Sequence, residues 1–493
     1  MAENLIRYDR MMKIPKVDIG ISYLDEMKNK SIISESEDSC QISDAFHELA
    51  KFVSGKECVT INDGDDKTNS HVTSSLRHLS FYCQDNMSKG FVLQGTCEDL
   101  DRCDNLATCK GLRTLLLQTA RSSRISEISF KKITNFKRLR VLDISFTSIT
   151  EVSEFIGCLV LLQYLNLSKS GIRKLPKTIQ KLGRLLILKL NDCRNLKNLP
   201  CLEGLCSLQL LLLNKNHYLD SMPPGIGQLT SLETFSCPFV VGKGNEDKIG
   251  VLKEMNNLRG SLCISKLENV LNFREASEAA LGDKEFLHQL KLKWSVDSFG
   301  ECKNFQEVLG GLIPHKNLKI LKISGYDDQY FPDWVTRETF ENLEKVSLSE
   351  CKKCELLPPL WRLPLLKSLS IIAMEIRQFN NKFFFEIGSG SGFSSLEILQ
   401  VKEMPNLTCW IIEQGDNIEC HPFPKLKELT FVDCPNLRNL EVLQRIESLR
   451  LLKIKNCPLN EWMEQQLGWH RGMLDDASMI QNYHRNVEES QEP

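Results

Sequence analysis

The sequence predicts an α/β repeat solenoid, and two observations lead to it. Runs of the form Leu-x-x-Leu-x-Leu recur along most of the chain, and those starting at Leu139, Leu162, Leu185 and Leu208 follow one another at a constant step of 23 residues. Each run ends in a two-residue alternation of apolar and polar positions, the period of a strand with one buried face, which an amphipathic helix does not produce. A repeat of this kind contributes one short parallel strand; a single unit cannot bury its own leucines, whereas a stack can. The expected form is a leucine-rich-repeat horseshoe with a parallel concave sheet.

The elements follow in chain order. Residues 1–70 lack the leucine pattern and read as a separate N-terminal segment. Runs starting at Leu76 and Leu112 precede the regular series, and runs from Leu232, Leu287, Leu318, Leu343, Leu366, Leu396, Leu426 and Leu449 continue it, with a less regular unit at Leu262. The whole gives about fourteen or fifteen repeats over residues 71–458. Short steps leave room for a strand and a tight 3₁₀ or irregular return, while the wider steps near Leu287, Leu366 and Leu396 predict longer outer returns. Residues 459–493 keep helical and polar character, which predicts a C-terminal cap followed by a disordered acidic tail.

Composition narrows the chemistry. Sixty-two basic residues against 64 acidic ones leave a formal charge of −2, so no global field draws the chain to nucleic acid or anionic lipid. The first thirty residues hold no apolar core of signal-peptide length, and no window approaches the roughly 18 uninterrupted apolar residues of a membrane span. The chain is expected to be soluble and cytoplasmic, with the nucleus as a second compartment. Its 19 cysteines are spread thinly, which favours reduced, mostly buried thiols. Cys193, Cys351, Cys434 and Cys457 each fall eight residues after the first leucine of a run, where the pattern takes Asn or Cys at the turn beyond the strand.

Four fragments that suggest an active site fail on spacing or context. His47-Glu48 is followed by Lys51 rather than by a second histidine, so two metal ligands on one helical face are missing. Gly55-Lys56 lacks the glycine five positions earlier and the Ser or Thr after the lysine that a phosphate loop needs. Cys351-Lys-Lys-Cys354 has no second cysteine pair at zinc-ribbon spacing. Gly388-Ser-Gly-Ser-Gly392 lies between two repeat strands with no dinucleotide-type helix after it, and reads as a loop. No catalytic or metal-binding residues are expected, and the chain is read as a non-enzyme.

The stretches DIGISYLDEMKNKSIISE and CQISDAFHELAKFVSGKEC, together covering most of residues 18–58, resemble the winged-helix end of the nucleotide-binding region in plant NLR (nucleotide-binding, leucine-rich-repeat) disease-resistance proteins. Where that family has Met-His-Asp ahead of a Leu-x-His-Asp-Leu-Ala helix, this chain has Ile42, Ser43 and Asp44, so the family's nucleotide-sensing histidine is replaced by Ser43. The resemblance continues through LQYLNLSKSGIRKLPKTIQKLGRLLILKL, IGVLKEMNNLRGSLCISKLENV, LIPHKNLKILKISGY and FPDWV, segments similar to the repeats of the coiled-coil subclass, and extends to about residue 458. It implies that residues 1–70 are a winged-helix remnant whose phosphate loop and Mg-binding motif belong to an upstream region. ADP or ATP would then be a cofactor only where such a region exists, and this chain has none of its own.

The expected binding surface is the solvent side of the strands. The residue between the last two apolar positions of each run gives Asp143, Asn166, Lys189, Leu212, Ser236, either Gln289 or Lys291, then Lys322, Ser347, Ser370, Gln400, Thr430 and Lys453. With neighbours on the same face, Lys291, Lys293, Lys322, Lys402, Lys453 and Lys455 make the later half basic. These lysines either meet an acidic patch on a protein partner or keep an exposed sheet soluble. Trp294, Tyr326, Tyr330, Trp334 and Trp361 cluster in the same repeats, as interface anchors or as core. The resemblance implies a noncatalytic recognition module of plant immunity that binds a pathogen effector, a guarded host protein or another NLR. A ubiquitin-ligase substrate receptor and a nonfunctional fragment of a longer receptor are the alternatives.

Overall fold

A computed structural model of the chain describes residues 33–36, 39–42, 49–50, 52–62, 73–82, 108–118, 132–147, 149–213, 221–244, 247–295, 304–336, 340–354, 357–380, 392–411, 423–459 and 479–482. The chain divides into two compact units, Met1–Cys237 and Pro238–Pro493. Each is a stack of leucine-rich repeats.

The first unit opens with an antiparallel hairpin of β1 (Ile33–Ser36) and β2 (Ser39–Ile42), which pairs Ile33 with Ile42. Eight parallel strands then follow in strict sequence order: β3 (Cys58–Asn62), β4 (His78–Tyr82), β5 (Thr114–Gln118), β6 (Val141–Asp143), β7 (Tyr164–Asn166), β8 (Ile187–Lys189), β9 (Leu210–Leu212) and β10 (Thr234–Phe235). Every leucine run from Leu76 to Leu232 supplies one of them. Strand β3 has no leucine, yet it pairs in register with β4, so the parallel sheet already begins inside residues 1–70.

In the second unit the main sheet has ten strands. Its parallel members are β11 (Phe239–Val240), β12 (Gly260–Ser265), β13 (Leu287–Lys293), β14 (Ile320–Ser324), β15 (Lys345–Ser349), β16 (Ser368–Ile372), then, beyond β17 (Gln378–Phe379), β18 (Ile398–Lys402), beyond β19 (Cys409–Trp410), β20 (Glu428–Val432), and beyond β21 (Asn439–Leu440), β22 (Leu451–Lys455). The short strands β17, β19 and β21 form a separate parallel sheet within the returns. Strand β23 (Met479–Asn482) runs antiparallel to β22 and closes that edge of the main sheet, inside the segment expected to cap the stack.

Register turns the sequence pattern into a core. Leu142, Leu165, Leu188 and Leu211 align across β6–β9, and Leu290, Leu321, Val346, Leu369, Leu399, Leu429 and Leu452 across the second sheet. All are buried. Full burial of one such side chain stabilises by roughly 2 kcal/mol, so each repeat is held by its neighbours.

The turn after the strand is equally regular. Phe146, Lys169 and Asp192 in the first unit, and Gly325, Glu350, Ala373, Glu403, Asp433 and Asn456 in the second, all have left-handed backbone. In the second unit the N–H of Gly325, Glu350, Ala373, Glu403 and Asp433 each donates to a carbonyl in the following strand at 2.8–2.9 Å. Left-handed geometry costs a non-glycine residue about 1–2 kcal/mol, and this extra rung of the ladder offsets it. The next residue closes the turn: Thr147 and Ser170 donate hydroxyls to Ile144 O and Leu167 O, and Cys351, Cys434 and Cys457 donate thiols to Ser349 O, Val432 O and Lys455 O. Cys193 instead reaches back to Leu167 O of the preceding repeat, at 3.2 Å. The cysteines described are free thiols.

Returns are mostly one 3₁₀ turn, as at Glu154–Cys158, Lys177–Lys181 and Ile226–Gln228. The longer ones flanking β13 hold helices α1 (Phe273–Ser277) and α2 (Phe305–Gly311). Helix α1 starts where Asn272 Oδ1 accepts the Glu275 N–H, while Glu275 Oε2 accepts the Leu271 N–H at 2.8 Å, a reciprocal cap on two orphan donors.

Candidate protein-binding face

Because successive strand residues point to opposite sides, the open face of each sheet consists of rows running across the strands. In the first unit, Asp143, Asn166, Lys189 and Leu212 align in one row, as the sequence predicts. Asp143 organises it: Oδ1 accepts the Ser145 hydroxyl at 2.6 Å, and Oδ2 accepts the Asn166 amide at 2.8 Å. Burial and then the Asp143 charge push the Tyr164 phenol well above its ordinary range. The Lys189 ammonium lies 5.4 Å from the Tyr164 ring centroid. Asn166 is nearly covered by this network and leaves little for a partner to touch.

In the second unit the central row reads Cys263, Lys291, Lys322, Ser347, Ser370, Gln400, Thr430, Lys453. Register decides between the two sequence candidates at the Leu287 repeat: Lys291 stands in this row, and Gln289 stands in the row before it, opposite Ile320. The row nearer the strand exits contains Lys293, Lys402 and Lys455. All six predicted lysines thus lie on the open face, partly or fully exposed. Thr430 departs from the expectation of a solvent-facing residue, being 7% exposed between Gln400 and Lys453.

Two features escape a reading of one column. Lys345 lies in the strand-entry row between Ile320 and Ser368 and adds a further cation beside Lys322. At the strand-entry lip, backbone bonds align Lys319, Glu344, Lys367, Glu397, Lys427 and Arg450 from strand to strand. The central members pair off: Lys367 reaches Glu344 at 3.3 Å and Lys427 reaches Glu397 at 2.7 Å. The Lys427 ammonium, through its hydrogen bond and charge, holds the Glu397 carboxyl below its ordinary range. Lys319 and Arg450, at the two ends, have no ion-pair partner among the described residues. Beyond the strand exits, Glu403 and Asp433 border a groove of about 560 Å³ together with Ala373, Pro405 and Pro435, so the basic rows have an acidic margin.

The aromatic cluster is mainly core. Trp294, Tyr326 and Trp334 are buried, and Trp334 Nε1 donates to Leu309 O at 2.7 Å. Trp361 is half-buried with the Arg362 guanidinium 5.0 Å from its ring centroid, while Tyr330 is exposed and its carbonyl accepts the Tyr326 hydroxyl. Ile42 ends β2, and Ser43, Asp44, His47 and Glu48 lie outside the described residues. Among the described residues, no three potential ligands gather for a metal, and no helix is long and apolar enough to cross a membrane.

Residues 249–374 match the family profile "R13L1/DRL21 LRRs", and residues 95–215 match a general leucine-rich repeat region. A disease-resistance protein of Arabidopsis thaliana is 34% identical over 462 residues, covering 90% of this chain and 31% of the relative. An RPP13-like disease-resistance protein of the same plant is 30% identical over 482 residues, covering 93% and 44%. The chain is a leucine-rich-repeat relative of plant disease-resistance proteins. It spans less than half the length of these relatives. The solved leucine-rich-repeat protein of Leptospira interrogans superposes with a TM-score of 0.46 at 19% identity, covering 80% of this chain and 89% of the bacterial one.

Proposed function

We propose that this chain is a noncatalytic recognition module of plant immunity that binds a protein partner through the open face of the second sheet. One observation supports the reading most directly: Lys291, Lys322 and Lys453 share a row of the parallel ladder with Lys293, Lys402 and Lys455 beside it, while the adjoining lip neutralises its own central charges. A sheet needing only solubility is served by the self-paired pattern of the lip; lysines concentrated on the face create a field that speeds encounter with an acidic surface. The partner class is a pathogen effector, a guarded host protein or another NLR. In this reading the chain acts inside the cell and takes no cofactor of its own, ADP or ATP entering only with a nucleotide-binding region joined to it or supplied by another chain.

The test places a photo-crosslinking residue at Ser347 or Ser370 on the face, and at Glu307 on helix α2 as a control, in chains expressed in leaf cells. A discrete protein adduct from the face positions alone, abolished when the six lysines are changed to glutamate, is the expected result. Equal adducts from Glu307, or adducts indifferent to the lysines, would remove the basis for the proposal.

A further inference from the structure

The cations on this face are not evenly spread, and Lys291, Lys322, Lys453 and Lys455 have no ion-pair partner among the described residues. On β13 and β14, Lys291 and Lys322 are register partners, with Lys319 at the lip of β14. On β22, Lys453 and Lys455 project from the strand and Arg450 stands at its lip. The four intervening strands β15, β16, β18 and β20 present Ser347, Ser370, Gln400 and Thr430 in the central row, and their lip charges are the two ion pairs Glu344–Lys367 and Glu397–Lys427. Lys345 extends the first cluster inward by one strand and Lys402 the second by two, while Glu428 adds a carboxylate to the strand-entry row between them. From β14 to β22 there are five strand spacings, about 24 Å at roughly 4.8 Å each.

We infer that this face takes an extended acidic protein segment laid across the strands, whose two acidic clusters are separated by about seven uncharged residues, the number that spans roughly 24 Å at about 3.3–3.6 Å per residue. The inference rests on the reading that this face binds protein, and it adds the spacing of the partner's charges. Charge complementarity at both ends and hydrogen-bonding neutrality between them select that ligand. A nucleic acid strand fits less well, because its phosphates recur about every 3.4 Å along each strand of a duplex and would run over the neutral middle and past Glu428. The acidic margin at Glu403 and Asp433 keeps the segment on the strand side of the exit turns.

The experiment uses the full chain and fluorescent peptides with four acidic residues at each end, separated by two, seven or fourteen neutral residues, and measures anisotropy at low and at physiological salt. The seven-residue spacer is expected to bind at least about tenfold more tightly than either other spacer and than a one-cluster peptide, since linkage helps only when the spacer matches the span. The paired change Lys291→Ser with Lys322→Ser, or Lys453→Ser with Lys455→Ser, reduces the best peptide to one-cluster affinity and removes the spacer preference. For the unsubstituted chain, the salt dependence is steeper with two clusters than with one, a readout that needs no variant to fold.

Affinity that follows total charge regardless of spacer overturns the inference, as does an oligonucleotide of equal charge displacing the peptide at equal concentration. If spacer preference is absent while crosslinking from Ser370 still depends on the lysines, the spacing is wrong and protein binding stands; if crosslinking also shows no preference for the face, both fall.

Discussion

Lys284 is buried with no exposed surface, an unusual place for an ammonium group. Its Nζ donates to Leu252 O at 2.7 Å, Asn256 Oδ1 at 3.1 Å and Met255 O at 3.4 Å, tying the entry of β13 to the return before β12. Burial lowers its pKa to about 8, against the opposing pull of Asp283 and Glu254. The unfolded lysine titrates near 10.4, so between these values the unfolded chain binds more protons than the folded one. Stability must therefore rise with pH through this window, and below pH 8 the full cost of burying the charge is present. Integrated from pH 7 to 9.5, the gain is about 2 kcal/mol. All six tryptophans lie at or beyond Trp294, so tryptophan fluorescence in urea reports the second unit alone. The measurement is the stability of the native chain minus that of Lys284→Met at both pH values, in which other titrations cancel. The difference should move by about 2 kcal/mol in favour of the native lysine at the higher pH; a flat difference, or one of opposite sign, refutes the account.

Other outcomes follow from the turns, the core and the thiols. Gly325 has a φ of 74°, and a Cβ there would lie 2.6 Å from Trp294 O, so Gly325→Ala should cost about 2 kcal/mol or more in urea melts. Ala373→Gly, at a φ of 52°, should instead gain about 0.5–1 kcal/mol, because relief of left-handed strain exceeds the added flexibility of the unfolded chain. Leu348→Ala should cost about 2–5 kcal/mol, while Ser347→Ala one residue away changes stability by less than about 0.5 kcal/mol, which equilibrium unfolding resolves directly. When Cys457 ionises, the Cys434 S–H can turn from Val432 O to the Cys457 sulfur, which lowers the Cys457 pKa and raises that of Cys434, so Cys457 should alkylate well before Cys434; equal rates, read by mass spectrometry under native conditions, would contradict the pairing.

How much of this was readable in the sequence depends on whether a residue answers to its own repeat or to its neighbour's. The inward leucines answer to their own period, and each run from Leu76 to Leu449 became a strand where the pattern placed it. Strand β3 joins the sheet without a leucine because β4 offers its edge. Phe146, Lys169 and Glu350 do not announce left-handed backbone; the following repeat supplies the carbonyl that imposes it in each case. Lys284 reads as a surface residue until three acceptors from an earlier return surround its ammonium. The choice between Gln289 and Lys291 likewise needed the pairing of β13 with β14, which sets Lys291 opposite Lys322 and Gln289 opposite Ile320.

The open face of the sheet can change without loss of the fold for the same reason. In the second sheet, Leu321, Val346 and Leu369 hold the stack, whereas Lys322, Ser347 and Ser370 stand on the opposite side of the same strands and contribute little to the core. Their spacing from repeat to repeat is set by the hydrogen-bonded ladder, not by their own side chains, so a substitution on the face alters which charge stands at a position while leaving the position itself in place. The lip is the exception, since replacing Glu344 or Glu397 frees Lys367 or Lys427 and turns a neutral interval basic. A Glu344→Gln, Glu397→Gln pair should therefore weaken discrimination between seven-residue and shorter spacers by adding attraction in the middle, with little change in melting temperature, because exposed ion pairs of this kind contribute only about 0–1 kcal/mol each.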